Sequence, residues 1–600
     1  MTEEANYWKR AISYRATRRS ILRGGIAGAG LVGLTAVGCG GSSSNNKNSS
    51  NSGGTTSQAT TAATSAPASA TATSAAAPAG TQIPAAGTFK TGGTIQLAFV
   101  VAAPLDPYEN STYSAQDVVG FVYSRLFRFN SGPDPNTNLT RQPIPELVSS
   151  YEISPDGLTY TMKLRQGVMW HPPLSRLFTS ADVMASWQRF TTDSKNTNSG
   201  VYKPIVDTLT APDDNTIVFK LKQPYAPFIN KLANTQYLWI MSQEAVSGKI
   251  DPSQQVVGTG PWIFVSKTPT AFTYKKNPDY FIKGIPYADG VVLNIIPDTS
   301  TQEAQFQAGK LDALAISVAD RDSLKKAVPK AASVEYVPDG LSFLYFSNVS
   351  DSASPFNDVR MRRAASLAID RPGLIDAIYS GAGTWCNLVP GGLGKWWLDP
   401  QGKDIGSAGQ WFKHDPAQAK ALLTAAGHAD TQFKFLYPNN AYGDVYNSHS
   451  DALRGMLADA GFKLQVVTVD YLKDYINNGQ GIFFKGPPPN TIVHGLQTPF
   501  TDPDDFLTGM LTQGGNRNHD NINDPDLAAI IQQEQKETDD AKRLQLVYKA
   551  TQMADDKMYY PPTVYTKVII MNQPWVQNFF VADDYAYGTE QVAYMSVNNK

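Results

Sequence analysis

Alternation of apolar and polar positions marks the clearest strands in the chain. Leu158, Tyr160, Met162 and Leu164 recur at every second residue, as do Ile217, Phe219 and Leu221 after the turn-forming Asp213-Asp214-Asn215. Successive side chains of a strand leave opposite faces, so each run buries one face. Further along, the period lengthens to that of a helix. Asp415 caps a run with Pro416 at its first position, apolar Ala419, Leu422, Leu423 and Ala426, and Gly427 as the stop. Leu453, Met456, Leu457 and Ala460 form a second helical face that ends at Gly461, ahead of a strand predicted over Lys463–Val469. Strands crowd the middle of the N-terminal half and αβ alternation follows, which predicts layered α/β domains.

Length turns this pattern into several domains. A chain of 600 residues with 42% hydrophobic residues holds more than one core. The formal charge of -2 hides an asymmetry, because residues 1–39 hold Lys9, Arg10, Arg15, Arg18, Arg19 and Arg23 against Glu3 and Glu4. Without those six bases and two acids, the remaining 45 basic and 51 acidic residues give a net of -6. A mildly acidic body with no Lys/Arg-rich run lacks the footprint of a nucleic-acid binder. The two cysteines, Cys39 and Cys386, provide no disulfide framework.

The N-terminus reads as an address. Arg18 and Arg19 precede Ile21-Leu22, and a charge-free stretch over 26–38 follows, in the manner of a twin-arginine export signal. Spanning a bilayer takes about 20 apolar residues, so this shorter stretch suits a signal. Ala36-Val37-Gly38-Cys39 resembles a lipobox, in which the cysteine is acylated; Ala36 stands where leucine is usual, and Ala-x-Gly also suits ordinary signal peptidase. Residues 40–88 are Ser, Thr, Ala, Gly, Asn and Pro with little else, a linker whose roughly 48 residues give a root-mean-square span of about 40 Å.

Catalytic patterns are missing. Gly28-Ala29-Gly30-Leu31-Val32-Gly33 spells G-x-G-x-x-G, yet no strand precedes it and it lies within the signal. The six histidines (His171, His414, His428, His449, His494, His519) have no metal-ligand spacing, and neither G-x-S-x-G nor a Walker A loop occurs. Asp502-Pro503-Asp504-Asp505 is explained as a turn and helix cap. No enzyme, cofactor or metal site is expected.

Several motifs in order resemble the extracellular solute-binding proteins of family 5, which serve dipeptide, oligopeptide and nickel importers of the ABC type. They are Gly92-Gly93-Thr94-Ile95 with Leu105-Asp106-Pro107; Pro145-Glu146-Leu147-Val148 leading into Tyr151 through Thr161 and Leu164-Arg165-Gln166-Gly167-Val168; Thr179-Ser180-Ala181-Asp182-Val183; and Gly258-Thr259-Gly260-Pro261-Trp262. Asn277-Pro278-Asp279-Tyr280, Gly309-Lys310-Leu311-Asp312, Pro355 through Arg360, Ala368-Ile369-Asp370-Arg371 and Asp502-Pro503-Asp504 continue the series. The resemblance implies a type II periplasmic-binding fold, α/β, with two lobes, an extra subdomain and a ligand cleft between the lobes. The implied division is lobe I core over 89–130, 257–345 and 563–600, an extra subdomain over 131–256, lobe II over 346–562, and hinges near 345 and 562.

The resemblance also implies the partners: a peptide or small-molecule solute, an ABC permease, and a membrane that holds the acylated chain on its outer face, with the protein acting as a monomer. Cleft positions that follow from it are Ser111, Thr112 and Tyr113 in the loop after Leu105-Asp106-Pro107, Trp385 and Asn387, then His494, Gln497 and Thr498, and Tyr565 after the last crossover. Hydroxyls, amides and aromatic faces of this kind suit peptide backbones or sugars. In peptide-binding relatives an aspartate four residues after a glycine pairs with the ligand ammonium; after Gly495 this position is Pro499. Oligosaccharide, metal or haem cargo in the same fold, and an exported hydrolase, are the alternatives.

Overall fold

The computed structural model describes residues 90–100, 103–109, 113–132, 142–196, 198–477, 480–497, 499–579 and 589–597. Arg18, Arg19, Cys39 and the linker lie outside these residues.

Two separate sheets organise the body. The first has seven strands in the order β12 (Ala332–Tyr336), β19 (Val568–Asn572), β11 (Ala313–Ile316), β1 (Thr94–Phe99), β10 (Gly290–Ile295), β9 (Ala271–Lys276) and β8 (Trp262–Lys267). Its middle, β11-β1-β10, is parallel, with Thr94 in register with Gly290. The second sheet runs β13 (Leu341–Phe346), β17 (Thr491–Gln497), β15 (Gln432–Pro438) and β16 (Lys463–Val469), with β15 parallel to both of its neighbours. A lobe forms around each.

A third sheet joins the first lobe: β4 (Val148–Ile153), β5 (Thr159–Leu164), β7 (Thr216–Leu221) and β6 (Val206–Asp213), in that order and antiparallel throughout. Tyr160, Met162 and Leu164 are buried along β5, as the alternation predicts, and Ile217, Phe219 and Leu221 along β7. The side chains buried under this sheet merge with those of the seven-stranded sheet into one continuous core. A short pair, β2 (Phe127–Phe129) and β3 (Pro143–Pro145), lies between them.

The motifs act as fasteners. Asp106 accepts the Tyr108 amide and pairs with Arg189 at 2.5 Å. Asp182 accepts Trp170 Nε1 at 3.0 Å and Arg176 at 2.7 Å. In Gly258-Thr259-Gly260-Pro261-Trp262 the first glycine is obligatory, because a Cβ there would fall 2.0 Å from the Val122 carbonyl oxygen. Asp415 caps the helix Pro416–Ala425 through the Gln418 amide, and Gly427 ends it at φ +82°. The helix Gly443–Asp459 then leads into β16 as its pattern predicts.

The chain passes between lobes twice. It leaves β12, runs through residues 337–340 and enters the second sheet as β13. After the helix Asp540–Asp556 it returns along residues 557–563 and through β18 (Val564–Thr566) to β19. β13 is apolar at five of six positions and wholly buried, although it stands at a sheet edge. The returning segment covers that edge: the Leu344 amide donates to the Pro561 carbonyl at 2.9 Å, and the Thr563 amide donates to the Ser342 carbonyl at 2.8 Å. β18 also pairs with β14 (Gly383–Trp385).

Candidate functional site between the lobes

One segment of the first lobe, residues 225–237, reaches across to the second. It contains the helix Phe228–Ala233, whose apolar Phe228, Leu232 and Ala233 are buried together with a charged residue, Lys231. Lys231 Nζ lies 2.5 Å from Asp505 Oδ1 and 3.9 Å from Asp504 Oδ2. The Tyr225 hydroxyl donates to Asp504, Asn230 Nδ2 donates to Asp502 at 2.6 Å, and the Tyr237 hydroxyl donates to Asp505 at 3.3 Å. Backbone joins in, because the Ala226 amide donates to the Gln535 carbonyl at 2.7 Å. Gln236 Nε2 donates to the Pro499 carbonyl at 3.3 Å.

On the second lobe these carboxylates start the helix Pro503–Leu511, which Asp502 caps through the Asp504 amide. Cap and turn, the roles read from the sequence, account for only part of the cluster. Arg543 contacts both oxygens of Asp502, at 2.5 and 3.2 Å, and donates to Glu534 at 2.7 Å, while its guanidinium lies 4.9 Å from the Trp396 ring centre. Asp504 accepts Thr508 Oγ1 at 2.6 Å and Gln535 Nε2 at 2.8 Å. Burial alone drives an ammonium toward its neutral form, but Asp505 and the neighbouring tyrosines override this and hold Lys231 well above the ordinary lysine value. Against the same cost of burial, Arg543 holds Asp502 below the usual carboxylate range.

On the two segments that form this contact, two neutral groups keep hydrogen-bonding capacity in reserve. Asn234 on the first lobe and Thr501 on the second are 1% and 4% exposed, and Asn234 Nδ2 and Thr501 Oγ1 have no partner among the described residues. Buried polar atoms nearly always find partners, and these two belong to a wider set of described atoms without one, Glu534 Oε2 in the same cluster among them.

The structure brings two sequence-derived positions, Gln497 and Tyr565, to the first crossing, and sets a third, Trp385, on the other face of the β14–β18 pair. Gln497 ends β17 in register with Leu341. The Tyr565 ring lies where a Cβ on Gly340 would come within 3.0 Å of it. Trp385, half-buried and opposite Val564, is one register step from Tyr565 and also lines a groove of about 630 Å³ with Gln401, Ser407, Gln410, Phe412 and Lys413.

Two others stand behind the lobe surface with their polar atoms engaged there. Asn387 Nδ2 donates to the Leu398 carbonyl and its Oδ1 accepts the Leu388 amide. His494 is fully buried; its Nε2 lies 2.8 Å from Ser342 Oγ, its Nδ1 2.7 Å from Ser450 Oγ, and its ring stacks on Tyr446 with centres 4.6 Å apart. Ser111, Thr112, Thr498 and the Tyr113 side chain lie outside the described residues. Lys231, Asn234, Gln236 and Thr501 were missed in the sequence; the one available signal was a lysine inside the apolar run Phe228 to Ala233.

Two lobes around separate sheets, joined by two chain crossings and meeting at a polar contact, define a bilobal solute-binding protein. The family model described as bacterial extracellular solute-binding proteins, family 5 Middle, matches residues 142–518, and the chain belongs to this family. Over 498 residues it is 29% identical to Heme-binding protein A of Haemophilus influenzae, covering 78% of this chain and 83% of that one. It is 27% identical to the dipeptide-binding protein of Escherichia coli K12 over 74% of this chain and 83% of the relative. The periplasmic binding protein DppA of Helicobacter pylori, solved with the peptide STSA, superposes with a TM-score of 0.70 at 21% identity over 85% of this chain and 98% of its own. The protein thus has the solute-binding role of an ABC importer. Among the described residues no helix is long and apolar enough to cross a membrane.

Proposed function

We propose that the chain captures peptides or peptide-like solutes outside the cytoplasmic membrane and delivers them to a permease, tethered by an acyl group on Cys39 after export directed by Arg18 and Arg19. The observation that carries the choice of solute is the interlobe contact. Its cations Lys231 and Arg543 are engaged with carboxylates, and the neutral reserve capacity sits on an amide and a hydroxyl of the same segments, Asn234 and Thr501. Groups of this kind match the neutral hydrogen-bonding atoms of a peptide backbone. Pro499 offers only its carbonyl, already bonded to Gln236, so recognition does not use a carboxylate at that position. The dipeptide-binding relative supports the peptide reading.

Gln497 and Tyr565 supply the wall at the first crossing in this reading, Trp385 lines the groove on the other face of the β14–β18 pair, and Ser111, Thr112, Tyr113 and Thr498 supply the loops that approach the solute. His494 and Asn387 support that wall from behind. The crossings at 337–340 and 557–567 serve as hinges, so the closed form buries the solute and presents a surface that a permease recognises by differential affinity.

Native mass spectrometry of protein purified without refolding is the test. A co-purified mass that fragments as a peptide or peptide-like compound is expected; haem, a bare metal ion or a sugar in its place contradicts the assignment. For the tether, Cys39→Ala is expected to release the protein from membranes in a high-salt wash, and retention contradicts acylation.

A further inference from the structure

The solute is not the only cation or hydrogen-bonding partner that can draw the lobes together, because the chain carries its own. We propose that Lys231 is a built-in closing latch: inserted from the first lobe into the Asp504/Asp505 pocket of the second, it brings the lobes together without any ammonium supplied by the solute. This rests on the two-lobe capture reading and deepens it, naming the solute class as one that need not bring a positive charge to this part of the cleft, such as an N-blocked or otherwise neutral peptide-like compound.

Geometry carries the argument. Every group that Lys231, Tyr225, Asn230, Tyr237 and Ala226 meet in this contact belongs to the other lobe: Asp502, Asp504, Asp505 and the Gln535 carbonyl. Separating the lobes breaks all five links together. It also strands charge unevenly. Within the second lobe, Arg543 faces Asp502 and Glu534, but Asp504 and Asp505 lose Lys231, their cation in this contact. The open protein then holds two neighbouring carboxylates at its mouth, and like charges at this range repel. The same helix turn that presents the pocket also carries Asp502 as its cap, so both pocket carboxylates stand on one capped element of the second lobe. Because Lys231 is 6% exposed and Asp504 1%, salt screens this pair far less than a surface pair.

The interlobe bond from the Ala226 amide to the Gln535 carbonyl provides a direct reading of closure. The experiment is hydrogen exchange on the full chain, freed of co-purified solute as checked by native mass spectrometry, comparing the wild type with Lys231→Met, Asp505→Asn and the double variant. The wild type is expected to protect the Ala226 segment without solute. Each variant is expected to speed its exchange by about tenfold or more, a local opening, while β7 and β17 keep their protection. Fast exchange at Ala226 in the solute-free wild type, or undiminished protection in both single variants, overturns the latch. If one variant also loses protection in β7 or β17, it has unfolded and the other decides. No solute is needed, so failure of the peptide assignment leaves this test intact.

Discussion

Where the lobes touch at the mouth, charge joins them; where the chain crosses between them, neutral hydrogen bonds do. The mouth holds Lys231 and Arg543 against Asp502, Asp504, Asp505 and Glu534. At the crossings Thr563 Oγ1 donates to Ser342 Oγ at 2.6 Å, Ser342 meets His494, and the Ser342 amide points at Cys386 Sγ at 3.4 Å. Beside the return the fully buried Arg371 spends itself on oxygens of the backbone and of Ser366: it donates to the carbonyls of Pro562 at 2.6 Å and Phe412 at 2.8 Å and to Ser366 Oγ at 2.9 Å, while Lys557, at the start of the return, pairs with Asp524 of the same lobe. The difference follows from what each contact must do. A mouth that opens exposes its groups to water, which solvates charges well. A crossing that stays assembled through the motion gains from short bonds that never need resolvating.

This contrast can be broken from its strong side first. Arg543→Ala leaves Asp502 and Glu534 buried without their cation, and removing one partner of a buried ion pair costs about 3–5 kcal/mol; chemical denaturation is expected to register the largest loss of any change discussed here. Lys231→Met removes a cation from one lobe only, so its effect falls on interlobe protection more than on the unfolding of either core. At the crossings, His494→Leu removes the bonds to Ser342 and Ser450, whose hydroxyls keep Thr563 and the Tyr446 carbonyl as partners; a cost of about 0.5–1.5 kcal/mol for each lost bond is expected, read as lost stability with the Ala226 segment still protected.

Acid sharpens the comparison. Burial pushes His449 and His519 of the second lobe down to about 3 and His494 well below its usual value, whereas the first lobe has one such group, His171, at about 4. The unfolded chain binds these protons near pH 6.5. Above that pH these histidines carry no penalty in the folded state. As pH falls from 6.5 toward 3 the unfolded state takes up protons that the folded histidines refuse, so their share of stability declines across that window, against the opposite drift of Asp520 and Asp555, whose carboxyls burial raises. A His449→Phe variant is therefore expected to lose less stability than the wild type between pH 6.5 and 3, read by denaturation at a series of pH values. The smallest effect belongs to Cys386: its thiol is 2% exposed and pushed up to about 12 by burial, so labelling at pH 8 is expected only on unfolding.

Much of the scaffold was legible because local rules produce it. Alternation placed β5 and β7, Asp415 with Pro416 and Gly427 bracketed a helix, and the ordered motifs identified the family. The candidate site was harder to read. His494 and Asn387 have the chemistry of ligand contacts, and nothing local tells a polar side chain at the cleft from one satisfied behind it by Ser342, Ser450 or Leu398. Lys231 and Asp505 are 274 residues apart in sequence, and Asp502 is a helix cap and an ion-pair partner at once, of which only the cap has a sequence signature.

Whether this protein holds a solute between its lobes and passes it on unchanged is read by titration calorimetry with the solute identified in the purified protein, followed by mass analysis of the recovered solute. Saturable binding of one solute per chain, recovered intact, is predicted. Absence of saturation, or a chemically altered solute, contradicts it.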